Sequence, residues 1–549
     1  MLERKDGIMD LTATGQSSLK KVHRNLPASV LYEHIIQNRE GQISEDGAAV
    51  VRTGDYAQRP MTDKFVVKDA FSEKTVHWSE EKKSISEEHF NNLAYRLIAY
   101  LQNKEVYVQY IYAGRDPEFR KSIRVVTETA WHNLYVRNLF AEVDDVERLD
   151  AFDPDFSIVH IPGFHTIPEV DGTRSSAAVV VNVSQKIIFI CGTSYAGEIR
   201  QAVFTILNYL LPVDKVFAMR CSASVGPSGD VALFVGRGGS GKTALAAGSG
   251  RRLLGDHEIG WNDKGLFTFG KGVYAKMLRI SPDAEPEIHA AARRFGTILE
   301  NVSIDFNSRE VDLDDGSLTE NTRAAFPVSH LSRYVEEGCS GHPSTIFLLT
   351  CDPLGVMPPI ARLTPELAVY AFMAGYTAHQ TPAGPRFSDP GSMFNTCFGT
   401  SSLTAPVHVY GNLLLERLKK HRVSCWLLNT GWSGEPCGKS ERIRISDTRK
   451  LINAAVSGAL EDVEYELDPV FQFEIPMSCP GVPENLLNPR KRAEDEGEYE
   501  VRANGLAKEF MKDFSRFENL MPENLRTVFS EVLSPDDSFD LLDEISFSF

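Results

Sequence analysis

The feature that most constrains this chain is a glycine-rich loop that lies between an apolar segment and a helix-forming one. The run VALFV at 231–235 precedes GRGGSGKT at 236–243, which matches the pattern G-x-x-x-x-G-K-[ST], and KTALAA follows at 242–247. Glycines let successive backbone N–H groups converge on phosphate oxygens, with the positive end of a helix behind them. The segment therefore predicts a strand, a phosphate-binding loop and a helix.

The residue types in this loop predict how it holds a nucleotide and a metal ion. Lys242 is expected to neutralise charge on the β- and γ-phosphates, and the hydroxyl of Thr243 to hold magnesium. Asp256 ends the apolar RRLLGD segment thirteen residues after Thr243, where a carboxylate can meet the magnesium shell. The positions predicted to contact the nucleotide here are Gly236, Gly238, Gly239, Ser240, Gly241, Lys242, Thr243 and Ala244.

These residues leave two classes of protein open. An ATP-using phosphotransferase and a nucleotide-binding switch need the same loop, and motifs alone do not separate them. The simpler interpretations are a chance glycine-rich turn for the loop and a surface-turn acid for Asp256.

Charge and composition exclude several other classes. The net charge of -17 argues against a general affinity for nucleic acid, which needs a basic surface. The eight cysteines contain no CxxC pair, so they predict reduced thiols rather than a zinc cluster or a disulfide framework. The polar start MLERKDGIMD and the lack of a run of about 18 apolar residues favour a cytoplasmic protein without membrane contact.

Short apolar strands among amphipathic helices predict an α/β protein, and 549 residues favour two or three lobes. We expect an N-terminal lobe at 1–225, a C-terminal phosphate-loop lobe at 226–520 and a tail at 521–549. The tail ends in SFDLLDEISFSF, which a protein partner could bind, although a docked or frayed terminus is the simpler interpretation. Strands are expected at 104–111, 177–183, 187–191, 344–350 and 424–429, and helices at 87–101, 365–374, 411–420 and 503–517.

Longer motifs give the chain a family resemblance. GDHEIGWNDKGLFTFGKGVYAK at 255–276 resembles the segment after the phosphate loop in ATP-type phosphoenolpyruvate carboxykinases. The similarity covers roughly residues 25 to 520. It includes RVVTETAW at 124–131, CGTSYAGE at 191–198, EPEI at 285–288, LENV at 299–302, DDGSLTENTR at 314–323, GVMPPIARLT at 355–364, NTGWSG at 429–434 and ERIRISDTR at 441–449.

The resemblance implies a two-lobed fold with a P-loop C-terminal lobe and an active site in the cleft between the lobes. It also implies the reaction: ATP-type members convert oxaloacetate and ATP to phosphoenolpyruvate, ADP and carbon dioxide, a step of gluconeogenesis. Arg59 would hold the substrate carboxylate, Arg323 would bridge the substrate and the γ-phosphate, and Tyr195 would lie near the substrate. The remaining nucleotide contacts implied by the family are Lys276, Glu285, Arg442, Ile443 and Thr448.

Three positions depart from the family where it binds a transition metal. Gln201 replaces a lysine in YAGEIRQ, Arg220 a histidine in MRCSASVG, and His257 an aspartate in GDHEIGW. A guanidinium cannot coordinate a cation, and one ligand rarely makes a site, so the family implies manganese while Gln201 and Arg220 contradict it. Arg220 could supply the positive charge in its place.

Three functions therefore stay open from the sequence. The first is an ATP-dependent phosphoenolpyruvate carboxykinase, or a relative that phosphorylates an enolate, with oxaloacetate as the default substrate. The second is a phosphotransferase that has kept ATP and magnesium but acts on a different small acid or on a protein. The third is a nucleotide-binding pseudoenzyme.

Overall fold

The computed structural model describes residues 19–54, 63–78, 82–143, 152–237, 240–248, 250–256, 258–283, 285–378, 392–398 and 405–516, with residues 518 and 526. The chain divides into two compact units. Unit 1 contains residues 1–219, 252–341 and 401–405, and unit 2 contains residues 220–251, 342–400 and 406–549. Within the described ranges, no helix is long and apolar enough to cross a membrane.

Two sheets form most of unit 1. The larger one is mixed, and its central strands are buried along their whole length, as expected for apolar runs covered on both faces. Its strands are, in spatial order, Lys21–Arg24, Glu105–Ala113, Lys121–Thr127, Phe156–Ile161, Ile187–Cys191, Ala178–Asn182, Lys64–Lys68 and Lys83–Ser86, with Ala141–Glu142 beside Glu105–Ala113.

The second sheet of unit 1 joins segments that are far apart in the sequence. Its order is Gly272–Lys276, Arg323–Pro327, Ile298–Glu300, Ala49–Val51 and Gly41–Ile43. The remaining strands of this unit are Arg252–Gly255, Glu258–Trp261, Leu266–Thr268, Ser303–Ile304, Val311–Asp312 and Cys339–Ser340. Its helices are Ala28–Gln37, Ser72–Thr75, Glu87–Leu101, Ala130–Leu139, Pro168–Asp171, Gly197–Leu210 and Pro286–Ala292, with 3-10 turns at Leu211–Asp214 and Val328–His330.

Unit 2 is built on three parallel strands, Val231–Val235, Thr345–Thr350 and Ser424–Asn429. Ile360–Leu363 continues this sheet in the antiparallel sense, followed by Glu474–Pro476 and Tyr465–Leu467. Thr377–Ala378 and Ser392–Met393 form a separate ribbon. The helices are Lys242–Ala246, Pro365–Ala374, Val407–His421, Ile445–Val456, Glu484–Leu487, Pro489–Arg492 and Glu496–Ser515, with a 3-10 turn at Thr396–Phe398. The strand Phe217–Val225 carries the chain from the first unit into the second.

The α/β class and most of the expected elements are confirmed. The helix Glu87–Leu101 begins as predicted because the Ser86 hydroxyl accepts a hydrogen bond from the His89 N–H at 3.1 Å. The last helix starts seven residues earlier than expected, at Glu496, because Asp495 caps it by accepting from the Glu498 N–H at 2.9 Å. Phe517, its predicted end, lies outside the described residues.

The compact units differ from the contiguous lobes expected at 1–225 and 226–520. Residues 252–341 group with the N-terminal part of the chain, because Ile298–Glu300 pairs in parallel with Ala49–Val51. The predicted tail at 521–549, apart from residue 526, lies outside the described residues.

Candidate active site

The phosphate loop of unit 2 follows its strand as predicted. Val231–Val235 is buried and leads into Gly236, where a Cβ atom would lie 2.8 Å from the Ser240 hydroxyl and 2.9 Å from a side-chain carbon of Leu349. Gly241 has a φ of +89° and precedes the helix Lys242–Ala246, which is shorter than the sequence indicates. Both glycines are therefore required by the backbone, whatever the loop binds.

The carbonyl oxygen of Arg237 organises this loop. It accepts hydrogen bonds from the Ser240 hydroxyl at 2.9 Å and from the Lys242 ammonium at 2.8 Å. Lys242 is only 5% exposed, so its charge is held inside the curve of the loop. A buried ammonium in this position attracts phosphate oxygens, as the sequence predicts.

A second segment of unit 2, which contains Thr430 and Arg442, is hydrogen-bonded to the same loop. Arg442 donates from Nε to the Thr430 carbonyl at 2.5 Å and from Nη2 to the Thr430 hydroxyl at 3.3 Å. The Thr430 hydroxyl has two acceptors in reach, the Thr350 carbonyl at 3.1 Å and, in the loop, the Ser240 carbonyl at 3.4 Å. The Ile443 N–H bonds the Gly431 carbonyl at 2.8 Å, and Thr448 is buried one helical turn further on. The structure thus brings Arg442, the first of the three predicted C-terminal nucleotide contacts, to the phosphate loop.

In unit 1, a buried arginine pairs with the segment that contains Asp256. Arg200 donates from Nε to the Glu258 carboxylate at 2.9 Å and from Nη2 to the Asp256 carbonyl at 3.2 Å. Burial acts to lower the pKa of Arg200, but the charges of Glu258 and Asp256 outweigh it and raise that pKa. Arg200 is therefore a permanent cation beside the predicted magnesium ligand.

Tyr274 is the centre of a second cluster in the same unit. Its hydroxyl donates to Glu300 Oε2 at 3.0 Å, and its ring lies 5.3 Å from the ring of Tyr135 and 6.5 Å from that of Tyr195. The guanidinium carbon of Arg323 lies 5.5 Å from the same ring. Two predicted substrate residues, Tyr195 and Arg323, therefore meet at Tyr274.

Strand register adds charged groups to this cluster. Arg323 lies opposite Lys276 on one neighbouring strand and opposite Glu300 on the other. Desolvation, together with the charge of Arg323, lowers the pKa of Lys276. Complete burial raises the pKa of Glu300 to about 8, so this carboxyl is largely neutral at pH 7.

Two buried histidines fix the chain just before Tyr195. Nε2 of His132 lies 2.9 Å from the Ser194 carbonyl, and Nε2 of His160 lies 2.8 Å from the Thr193 carbonyl. A carbonyl only accepts, so both Nε2 atoms carry a proton. The Thr193 hydroxyl then accepts from the Tyr195 N–H at 3.1 Å. Tyr195 is thereby held at the start of the helix Gly197–Leu210, which carries Arg200 and Gln201.

The other predicted residues are placed as follows. Arg220 is half-buried on the strand Phe217–Val225, and its carbonyl accepts from the Gly236 N–H at 3.5 Å, beside the phosphate loop. Gln201 is half-buried in unit 1, and Glu285 precedes the helix Pro286–Ala292. Those that lie outside the described residues are Arg59, Gly238, Gly239 and His257.

The donor set does not fit a transition metal at the positions that the resemblance implies. Gln201 offers a weak amide oxygen and Arg220 a cation, and the described residues contain no group of three His, Cys, Asp or Glu side chains that could hold a metal. Magnesium with a nucleotide is a separate matter, for which the hydroxyl of Thr243 and the carboxylate of Asp256 are suitable oxygen ligands.

The sequence reasoning missed five residues of these clusters. Glu258, Tyr274 and Glu300 stand inside the motifs GDHEIGW, GVYAK and LENV, so a signal existed for them. Arg200 directly precedes Gln201 in YAGEIRQ, so it could have been found by asking which positive charge remains next to the replaced lysine. Nothing in the local sequence singles out Tyr135.

Unit 2 thus contains a strand, a glycine-rich loop and a helix of the kind that nucleotide-dependent phosphotransferases use, and unit 1 contains its own cationic, tyrosine-lined cluster. Comparison with known proteins makes this specific. The family model "Phosphoenolpyruvate carboxykinase", of the ATP-dependent type, matches residues 20–485. The chain belongs to this family, which confirms the resemblance seen in the sequence and the expected class of enzyme, with ATP and a divalent metal ion as cofactors.

Individual relatives agree over nearly the whole chain. A "Phosphoenolpyruvate carboxykinase (ATP)" of Pelobacter propionicus is 48% identical over 92% of this chain and 95% of that protein. Proteins of the same name from Geotalea uraniireducens and Thermus thermophilus are each 44% identical, over 89% and 92% of this chain and 93% and 96% of their own lengths.

Proposed function

We propose that this enzyme converts oxaloacetate and ATP to phosphoenolpyruvate, ADP and carbon dioxide. The observation that carries the proposal is the described part of the phosphate loop, where the Lys242 ammonium is buried and bonded to the Arg237 carbonyl, and where Arg442 bonds Thr430 beside it. A switch or a scaffold needs nucleotide binding, but a phosphotransferase also needs a cationic acid-binding cluster, and unit 1 contains one around Tyr274.

Each proposed residue has its own role in this reaction. Decarboxylation of oxaloacetate leaves its bonding electron pair on the enolate of pyruvate, and the enolate oxygen then attacks the γ-phosphorus as ADP leaves. Lys242 neutralises the phosphates, while Arg323 bridges the γ-phosphate and the substrate. Arg59 is proposed to hold the substrate carboxylate, and Tyr195 to orient it. Thr243 and Asp256 would hold the magnesium ion, which supplies charge neutralisation on the phosphates when bound.

The other predicted nucleotide contacts belong to the same proposal. Lys276 and Glu285 are also proposed as nucleotide contacts, and Ile443 and Thr448 are proposed to lie against the adenine. A cytoplasmic location is also proposed, supported by the lack of any disulfide among the eight cysteines, all of which are described. The tail around 538–549, which we proposed as a partner-binding peptide, lies outside the described residues.

One observation favours a second candidate. The substitutions at Gln201, Arg220 and His257 fall on the metal side of the implied substrate site and leave Lys242, Thr243 and Asp256 in place. This pattern supports a retained phosphoryl transfer with a different small acid as the acceptor.

A coupled assay separates the two candidates. Purified protein is given ATP, magnesium and oxaloacetate, and phosphoenolpyruvate is measured beside nucleotide affinity. We expect turnover that Lys242→Ala lowers by about 10²–10³-fold and that the exposed control Lys439→Ala retains. ATP binding without phosphoenolpyruvate formation would refute the carboxykinase reaction and direct the search to other acids.

A further inference from the structure

Three buried polar atoms around Tyr274 have no hydrogen-bond partner among the described residues. They are Tyr135 Oη, Arg200 Nη1 and Glu300 Oε1. Tyr135 and Glu300 are fully buried and Arg200 is 6% exposed, so bulk water does not satisfy them. Most buried polar atoms in native proteins are hydrogen-bonded, so three unpaired atoms around a single ring indicate a site that a polar ligand completes.

These atoms lie around one ring. Tyr135 packs edge-on against Tyr274 at 5.3 Å, the Arg200 guanidinium lies 5.9 Å from its centre, and Glu300 accepts a hydrogen bond from its hydroxyl. Arg200 is held in place by Glu258 and by the Asp256 carbonyl, so Nη1 is the one nitrogen of its fork left to donate. A ligand bound here therefore meets two donors in fixed positions, the N–H of Arg200 Nη1 and the O–H of Tyr135.

Charge selects the chemical class of the ligand. The carboxylates of Glu258 and Asp256 both act on Arg200. Arg323 and Lys276, opposite each other on neighbouring strands, add two positive charges. Arg323 lies against the same ring and is bonded to the neutral Asn321 amide at 2.9 Å. The cluster thus keeps an excess of positive charge over donors that suit oxygen. A small carboxylate fits this combination, while a metal cation does not.

We propose that Arg200 and Tyr135 bind a carboxylate or enolate oxygen of the substrate directly, in an enzyme that needs no transition metal. The assignment rests on the proposed function for the identity of the substrate, but the subsite itself stands on the buried donors. Arg200, which is held beside Asp256, is thus a second candidate besides Arg220 for the positive charge that the metal would bring.

Oxalate, a small dicarboxylate, is a suitable probe. The full-length protein is stripped with EDTA and titrated with oxalate by calorimetry, with and without Mn²⁺. We expect the same affinity in both conditions. Tyr135→Phe should weaken binding by about tenfold, the effect of one hydrogen bond to a charged group, and Arg200→Lys should weaken it at least as much. Tyr110→Phe, at a buried tyrosine of the same unit outside the cluster, is the matched control and should bind like the unmodified protein.

A second readout follows the metal alone. Mn²⁺ is titrated into nucleotide-free protein and its free form is followed by electron paramagnetic resonance; we expect no stoichiometric binding. Tight Mn²⁺ binding, oxalate binding that requires Mn²⁺, or an unchanged affinity in Tyr135→Phe would each overturn the proposal, the last by showing that the donors hold only solvent. Circular dichroism confirms that each variant is folded.

The outcomes also separate this proposal from the proposed reaction. Metal-independent oxalate binding without oxaloacetate turnover would support the subsite and remove the carboxykinase reaction. Oxaloacetate turnover together with oxalate binding that depends on Mn²⁺ would support the carboxykinase reaction and exclude the subsite.

Discussion

Replacing Glu300 with glutamine should remove a pH-dependent loss of stability. The carboxyl is fully buried, and its pKa is raised from 4.5 to about 8. Because the folded-state pKa lies above that of the unfolded chain, ionisation destabilises the fold. The neutral carboxyl is tolerated without penalty below pH 4.5, and the penalty grows as the pH rises from 4.5 towards 8.

The size of the effect follows from the two pKa values. A difference of about 3.5 units at about 1.4 kcal/mol per unit corresponds to about 5 kcal/mol above pH 8, and to about 3 kcal/mol at pH 7. In a unit of roughly 300 residues, each kcal/mol changes the Tm by about 1.5 °C. About 1 kcal/mol of this penalty is already present at pH 5, so Glu300→Gln should gain about 6 °C in Tm over the unmodified protein on going from pH 5 to pH 9.

Scanning calorimetry at pH 5, 7 and 9 measures this difference directly. Glu336→Gln, at an exposed glutamate of the same unit, should leave the pH profile unchanged. The reasoning fails if the Tm curves of Glu300→Gln and the unmodified protein run parallel across this range, because Glu300 would then ionise at its ordinary pKa.

Three further substitutions test other contacts. Arg200→Met leaves the Glu258 carboxylate buried and unpaired, so the Tm at pH 7 should fall by about 5–8 °C. Adding Glu258→Gln should restore most of this loss. A fall below about 1 °C would contradict a buried ion pair. Lys242→Ala should lower kcat by about 10²–10³-fold in steady-state assays, and a smaller loss would show that the buried ammonium does not act on the transferred phosphate. Arg442→Ala should weaken ATP binding by about tenfold in equilibrium titrations, since Thr430 loses the bonds that hold it against the phosphate loop, and unchanged affinity would exclude that link.

Local patterns predicted the elements around the phosphate loop well. Val231–Val235 is a continuous apolar run between turn residues, which only a buried strand satisfies, and Glu87–Leu101 has both a helical period and a serine cap. The proposals that Lys242 and Arg442 contact the nucleotide also came from motifs. Short-range signals were sufficient because the geometry of that loop is set within a few residues of the glycines.

The substrate-side cluster could not be derived in the same way. Arg200 and Glu258 are 58 positions apart, and Tyr135 meets Tyr274 through packing rather than through a motif. Strand register, which places Glu300 opposite Arg323, depends on long-range pairing. The grouping of 252–341 with the N-terminal part was missed for the same reason, since a change of motif at residue 230 does not show where the chain later returns.

The pairing of Ala49–Val51 with Ile298–Glu300 has a consequence for biosynthesis. The first strand leaves the ribosome about 250 residues before its partner, which at about 5–20 residues per second means about 12–50 s of waiting. During that time the phosphate-loop segment of unit 2 is also made. The apolar edge of Ala49–Val51 must therefore be protected from wrong partners for nearly half of the time that the 549 residues take to be made, a stage at which a chaperone could cover it.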